Sequence, residues 1–168
     1  MHLTHRLILT GSVGTLALGV PAAAQPLDLT ITVPRIGVAE YHPPYVAIWL
    51  EQAGAPARTL SVWYDTGKRN NAGTKWLRDV RTWWRAAGRA GRWAADGVSG
   101  ATRAPGTHKL SVSPDLKPGR YTLVIEAARE AGGREVLRLP FALTPAGTGR
   151  AAATGSAELG QVTLVARR

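Results

Sequence analysis

The residues of this chain best suited to chemistry form a short run of small side chains that carries two hydroxyl groups. Residues 96–102 read Asp-Gly-Val-Ser-Gly-Ala-Thr. The glycines allow backbone conformations closed to other residues, and their small neighbours let a planar group or another protein approach the main chain. A threonine hydroxyl is a poor nucleophile, so its modification requires an external enzyme and an open segment. We interpret residues 96–102 as a modification loop ending at Thr102. The alternative is a surface turn in which Ser99 and Thr102 bond local backbone.

This run resembles the flavinylation motif in the FMN-binding domains of sodium-pumping quinone reductase and related electron-transport subunits. That motif is Asp, Gly or Ala, any residue, Ser or Thr, Gly, Ala and Thr, and every fixed position is matched. In those families a flavin transferase takes FMN from FAD and joins it to the last threonine through a phosphoester. The resemblance implies covalent FMN on Thr102, recognition or transfer supported by Asp96, a motif hydroxyl at Ser99, and room for the transferase at Gly100 and Ala101.

Neighbouring side chains could complete a site for a phosphorylated flavin. Arg103 follows Thr102 directly and could neutralise the anionic oxygens of a phosphoester, with Lys109 and the arginines upstream as further candidates. Trp93 is close in sequence, and an isoalloxazine ring could stack on its indole, whereas Trp84 is expected in the core. The sequence therefore predicts that Arg103 and Trp93 bind the cofactor beside the motif.

Upstream of the motif, the pattern predicts one amphipathic helix over residues 75–87. Apolar residues recur at helical spacing from Trp76 to Ala87, after a possible N-cap at Thr74 and before Gly88. The opposite face is basic, and the stripe continues past the helix: Arg78, Arg81, Arg85, Arg89 and Arg92. This stripe is either a solvated helix face or an anion-binding surface for a phosphorylated cofactor or an acidic protein.

Short alternating runs between turn signals predict about seven strands around this helix. They lie at residues 27–33, 45–51, 59–64, 107–112, 120–127, 134–143 and 161–166. Residues 144–156, rich in Gly, Ala and Thr, are expected to be a mobile excursion. The predicted fold is mainly β: an antiparallel two-layer, immunoglobulin-like sandwich with one inserted helix, forming a single domain over residues 25–168.

The first 24 residues have the parts of a secretory signal peptide. A polar start, an apolar stretch over 7–20 and Pro-Ala-Ala-Ala precede Gln25. The alternative, a membrane anchor, fits less well because the apolar stretch is short and interrupted by glycines. Removal takes away only Arg6 among formal charges, so the net charge falls from +10 to +9. We expect a periplasmic protein without an integral membrane segment. Its charge favours acidic partners, anionic cofactors or a membrane surface, and nucleic acid is not expected outside the cytoplasm.

The rest of the chain offers no competing chemistry. It has no cysteine, and His42 and His108 are the two histidines that remain after signal removal, so no metal site is predicted. It has no Ser-His-Asp ordering, paired-carboxylate signature or phosphate-binding loop followed by lysine. We therefore assign no catalytic residue.

A second resemblance covers most of the chain. It rests on Thr59–Trp63, Trp76–Leu77, Trp83–Trp84, Ser99–Thr102 and Gly119–Glu126. These segments are similar to a family of predicted periplasmic proteins of unknown function, whose genes tend to lie near PepSY-type membrane reductases and metal-uptake systems. The resemblance implies a periplasmic partner of a membrane redox chain.

Two functions are therefore expected. The first is an electron-transfer flavoprotein, more a carrier than a self-contained enzyme, with FMN on Thr102. Its partners would be a flavin transferase and a membrane reductase or other periplasmic redox protein. The second is a non-redox sandwich module that binds a protein or metal-uptake partner through its basic helix.

Overall fold

Two stacked β-sheets and a helical layer form the fold in the computed structural model, which describes residues 25–95 and 97–167. The predicted signal peptide and Asp96 lie outside the described residues. The strands of the described part are β1 (Leu27–Val33), β2 (Tyr45–Glu51), β3 (Arg58–Tyr64), β4 (Ser99–Ala101), β5 (Gly106–Val112), β6 (Gly119–Ala128), β7 (Arg134–Leu143), β8 (Gly149–Thr154) and β9 (Gln161–Ala166).

The predicted two-layer sandwich is confirmed. One sheet has the order β5-β1-β9-β8 and the other β4-β3-β2-β6-β7. Neighbouring strands are antiparallel except β3 and β4, which are parallel. The parallel pair is possible because a long segment, residues 65–98, returns the chain to the same end of the sheet.

The main core lies between the two sheets. In β1 the alternating residues Leu27, Leu29, Ile31 and Val33 are buried, while the intervening polar residues are half-buried. Period-2 alternation directs these apolar side chains to one face, where they pack against the inner face of the five-stranded sheet. This core fixes the stacking of the two sheets.

The outer face of the five-stranded sheet is covered as well. β2 is buried continuously from Val46 to Leu50 because residues 69–94, here called the helical layer, pack on its outer side. The layer consists of a 3-10 segment (Arg69–Asp79), the helix α1 (Arg81–Ala86) and two short 3-10 turns (Gly88–Ala90 and Arg92–Ala94). A second apolar cluster, which includes Trp49 of β2 and Trp83 of α1, lies between this layer and the sheet.

The prediction of one continuous helix over residues 75–87 is wrong, because the segment is interrupted. The backbone leaves helical geometry at Val80, where ψ is 70°, and α1 begins immediately after it. Trp76, predicted on the apolar face, is 45% exposed, and Lys68 Nζ lies 6.0 Å from its ring centroid. A new helix starts at residue 81, and a buried carboxylate from the sheet accepts N–H groups of its first turn, as described below.

Two strands were missing from the sequence prediction. β4 lies within the predicted modification loop, so residues 99–101 are strand and the turn is confined to residues 97–98. β8 lies within the stretch expected to be mobile and pairs along its length with β9. Both consist mainly of small residues, which give little contrast between apolar and polar faces.

Candidate functional site

The motif forms the edge of the five-stranded sheet. Ser99, Gly100 and Ala101 lie in register with Val62, Trp63 and Tyr64 of β3, respectively. The pairing extends beyond the strand at both ends: the Val62 N–H donates to the Val98 carbonyl at 2.8 Å, and the Thr102 N–H donates to the Tyr64 carbonyl at 3.1 Å. Thr102 is therefore held by its backbone at the corner where the sheet edge ends.

The space around the motif is open. A Cβ atom built on Gly97 or Gly100 would meet no atom within 4 Å, and Ala101 is exposed. Gly97 has φ of +77°, a left-handed conformation that L side chains rarely adopt, and it turns the chain into β4. The Thr102 side chain is half-exposed. A large group could therefore reach this edge without displacing other residues.

Gly100 and Trp63 share one face of the sheet. Paired residues of neighbouring strands point to the same face, and successive residues alternate, so Gly100 lies on the inner, Trp63 side. The same alternation assigns Thr102 to that side. Next to it, the Arg103 guanidinium lies over the Trp63 ring at 5.0 Å from the centroid, a cation–π contact that orients the charge.

His108 completes this side of the site. Its ring meets the Trp63 indole edge-on at 5.9 Å, and its Nε2 lies 2.8 Å from the Ala104 carbonyl. Residues 102–105 cross here from β4 to β5, the edge strand of the other sheet. The sequence prediction included Arg103 but not Trp63 or His108. The sequence could not place Trp63 beside the motif, because β4 and its pairing with β3 were not predicted.

Trp93 lies on the opposite face of the sheet from Trp63. Its Nε1 donates to the Gly88 carbonyl at 2.9 Å, and its ring contacts Tyr64 at 5.9 Å and Trp83 at 6.3 Å, both edge-on. It is half-buried in the second apolar cluster. The structure therefore does not bring Trp93 and Arg103 together: Arg103 lies on the inner side of the edge and Trp93 on the outer side.

Glu126 holds the helical layer onto the sheet. This fully buried carboxylate on β6 accepts the N–H groups of Thr82 at 3.1 Å and of Trp83 at 2.8 Å. It also accepts from Arg134 at 2.6 Å. A carboxylate at the first turn of a helix satisfies donors that have no intrahelical partner and complements the positive end of the dipole. Glu126 therefore stabilises the first turn of α1 and holds the Trp83 backbone against the sheet.

The predicted basic stripe is exposed on this layer, although it does not follow one continuous helix. Arg81 and Arg85 are one turn apart on α1, Arg78 precedes it, and Arg89 and Arg92 lie on the 3-10 turns. Within residues 25–95 and 97–167, none of the five forms a salt bridge with a carboxylate. The stripe lies in the segment that connects β3 to the motif.

Other polar groups contribute to stability, away from the motif. Arg129 and Glu158 form a buried, two-pronged ion pair at 3.1 Å, and Glu158 also accepts the Gly133 N–H at 2.9 Å. Burial raises the pKa of Glu135. The loop after β8 lowers that pKa more strongly, because Glu135 accepts the N–H groups of Ser156 at 2.7 Å and Leu159 at 2.8 Å, so the net pKa lies below its usual value.

The histidines do not approach a common centre. His42 Nε2 lies 3.1 Å from Glu40, whereas His108 lies against Trp63. In the described part of the chain, no group of three His, Asp or Glu side chains is arranged to hold a metal ion. The groups available for chemistry at this edge of the sheet are the Thr102 hydroxyl, the Arg103 guanidinium and the His108 imidazole.

A comparison with protein families matched residues 26–161 to a family described as "Predicted periplasmic protein (DUF2271)". The chain belongs to this family. Comparisons of the DUF2271 chain with curated proteins and with solved structures gave no match. The resemblance to a periplasmic family of unknown function, and the periplasmic location, are thereby confirmed. Among the helices of the described residues, none has the length and apolar character needed to span a bilayer.

Proposed function

We propose that this DUF2271 protein is a periplasmic electron carrier with FMN covalently attached to Thr102. The observation that supports the proposal is the complete sequence motif over residues 96–102, of which residues 99–101 form an open sheet edge. When bound, FMN supplies one- and two-electron transfer. The protein would hold the cofactor at the corner of a rigid sandwich.

The residues beside Thr102 fit such a group. Attachment requires the Thr102 hydroxyl oxygen to form a bond to the phosphorus of the FMN half of FAD. The phosphoanhydride bond breaks, AMP leaves, and the hydroxyl proton passes to a base of the transferase, with no net oxidation or reduction. The resulting phosphodiester carries one negative charge. Arg103, oriented by Trp63, supplies a nearby positive charge. Lys109 is exposed on β5, and strand alternation puts it on the face opposite His108.

The inner side of the edge provides aromatic surface and space. Gly100 has no atom within 4 Å of its Cβ position, so a planar ring system could lie along this side of β4. Trp63 is 1% exposed and is covered by Arg103, so a ring at this edge would meet the guanidinium first. Arg103 would then neutralise the phosphate. Its positive charge would also oppose the removal of electrons from a neighbouring ring. Trp93 remains a candidate contact on the outer side of the edge.

A membrane reductase or another periplasmic redox protein would exchange electrons with this carrier. The exposed stripe Arg78, Arg81 and Arg85 would guide acidic partners to the segment that leads into the motif. The same observation supports the second candidate function, a non-redox module that binds an acidic protein or metal-uptake partner through the helical layer. The two candidates differ in whether Thr102 is modified.

The test is co-expression with a flavin transferase, followed by denaturing electrophoresis and peptide mass spectrometry. We expect flavin fluorescence that survives denaturation and a peptide containing Thr102 that is heavier by one FMN less one water. Thr102→Val should abolish both signals. Thr107→Val, which removes an exposed threonine on β5, should leave them intact.

An unmodified wild-type protein in the presence of active transferase would refute the carrier proposal and favour the binding module. Flavin on Thr102→Val would place the attachment elsewhere. Both outcomes are read from covalent mass and do not depend on an electron-transfer assay.

A further inference from the structure

The β4 edge is unlike the other three sheet edges of the described structure. Exposed sheet edges invite pairing with another chain, and proteins usually protect them with charged residues, with proline or by keeping the edge strand very short. The other edge strands follow this rule: β5 has Lys109, β7 has Arg134, Arg138 and Pro140, and β8 has Arg150. β4 contains only Ser99, Gly100 and Ala101. Among the described edges it is therefore the one without a charged residue or a proline, and its short length limits pairing to a few backbone groups.

The hydrogen bonds of β4 show which backbone groups are free to pair. The Val98 carbonyl and the Thr102 N–H both point towards β3. Because backbone groups alternate along a strand, Gly100 also faces β3, and the N–H and carbonyl groups of Ser99 and Ala101 face outwards. Two residues with outward donors and acceptors thus lie directly before Thr102.

We propose that the flavin transferase recognises this protein by adding an extended segment of its own to the outer edge of β4. This inference rests on the proposed attachment of FMN to Thr102. An enzyme that acts on this hydroxyl must lie against the same corner, since Ala101 is about 3.3 Å along the strand from Thr102. Backbone pairing with Ser99 and Ala101 would place the enzyme in register with its target.

The small side chains of the motif fit this mode of binding. An added strand runs about 4.8 Å from β4, and its side chains lie beside those of Ser99, Gly100 and Ala101. Gly100 presents open space on the inner side, and Ala101 presents only a methyl group on the outer side. Two outward residues give few hydrogen bonds, which suits an enzyme that must release its product.

Amide hydrogen exchange tests the docking independently of flavin transfer. Thr102→Val protein, which cannot be modified, is mixed with saturating transferase and FAD. We expect the Ser99 and Ala101 amides to exchange at least tenfold more slowly, with no change in the β8 amides. Unchanged exchange at both positions would overturn the proposal. Protection of these amides in concentrated protein without transferase would also overturn it, because the edge would then pair with a second copy of the chain.

A backbone ester tests the contribution of one outward donor. Replacing the amide before Ala101 with an ester removes its N–H and keeps the side chain. We expect kcat/KM for flavin transfer to fall by roughly fivefold, the effect of one net hydrogen bond. The matched control is an ester before Ala152, on the β8 edge, which should leave the rate unchanged. An equal loss in both variants, or no loss in either, would contradict docking on β4.

The outcomes separate this inference from the proposed function. If wild-type protein gains no flavin, attachment at Thr102 is refuted. If Thr102 is modified while the Ser99 and Ala101 amides stay unprotected and the ester variant reacts at the wild-type rate, only the docking mode is refuted.

Discussion

Replacing Glu126 with Gln should loosen the helical layer without disturbing the sandwich beneath it. In the native protein this carboxylate accepts two backbone N–H groups at the start of α1 and the Arg134 guanidinium. An amide offers one acceptor oxygen, and its NH₂ group must face at least one of those donors. One or two donors therefore lose their partner, and the loss is largest for the buried Trp83 N–H, whereas the Arg134 side chain is 40% exposed.

The structure allows the size of this effect to be worked out. Glu126 is 0% exposed, and hydrogen bonds to charged groups contribute about 1.5–3 kcal/mol each. Removing one partner of a fully buried ion pair costs about 3–5 kcal/mol, which is an upper bound here because the Arg134 side chain is 40% exposed. Since Gln keeps one acceptor, we expect a loss of about 3 kcal/mol in the free energy of unfolding. For a chain of this length that corresponds to a fall in Tm of about 6–12 °C.

Urea unfolding followed by tryptophan fluorescence and far-UV circular dichroism measures the free energy, and hydrogen exchange locates the change. Glu51→Gln is the matched control, because Glu51 also accepts from a tryptophan and an arginine but is 33% exposed. This substitution should lower the free energy of unfolding by about 1 kcal/mol or less. The reasoning fails if Glu126→Gln is no more destabilising than Glu51→Gln, or if the Thr82 and Trp83 amides keep their native protection.

Two further predictions concern stability. The lowered pKa of Glu135 means that its stabilising contribution is present above the unfolded value of 4.5 and is lost as the pH falls through the folded value. Urea midpoints should therefore fall with pH in this acidic range, and less steeply in Glu135→Gln; equal slopes would exclude this role. Gly88→Ala should lower the unfolding free energy by about 1–2 kcal/mol, since the new Cβ would lie 2.8 Å from Trp84 and 3.0 Å from Trp83. Gly37→Ala, which meets no atom within 4 Å, is the control and should be neutral or slightly stabilising.

The strands with strong apolar contrast could be predicted from the sequence. β1 alternates Leu and Ile with Thr and Asp, and its bounds agree with the prediction; those of β2, β7 and β9 also agree. β4 and β8 could not be predicted in this way. Their small residues pair because neighbouring strands offer backbone partners, and this information lies elsewhere in the chain.

The helical layer shows a different limit. Its apolar spacing correctly predicts that Leu77, Val80 and Trp83 are buried. The helix that follows the interruption at Val80 has its first N–H groups bonded to Glu126, which lies on β6 and is 46 residues from Val80 in sequence. The motif was recognised from residue identity alone, but its position at a sheet edge, and the presence of Trp63 beside it, depend on the parallel pairing with β3.

That parallel pairing also depends on a long connection. A parallel neighbour cannot be joined by a tight turn, and the connection from Tyr64 to Ser99 contains the whole helical layer. The pairing of β4 therefore spans the whole helical layer in sequence, and with three residues β4 is among the easiest elements to open. A transferase that requires β4 as a strand would load flavin only onto chains in which β4 has paired with β3, so this short edge would report on the native pairing of two segments that are far apart in sequence.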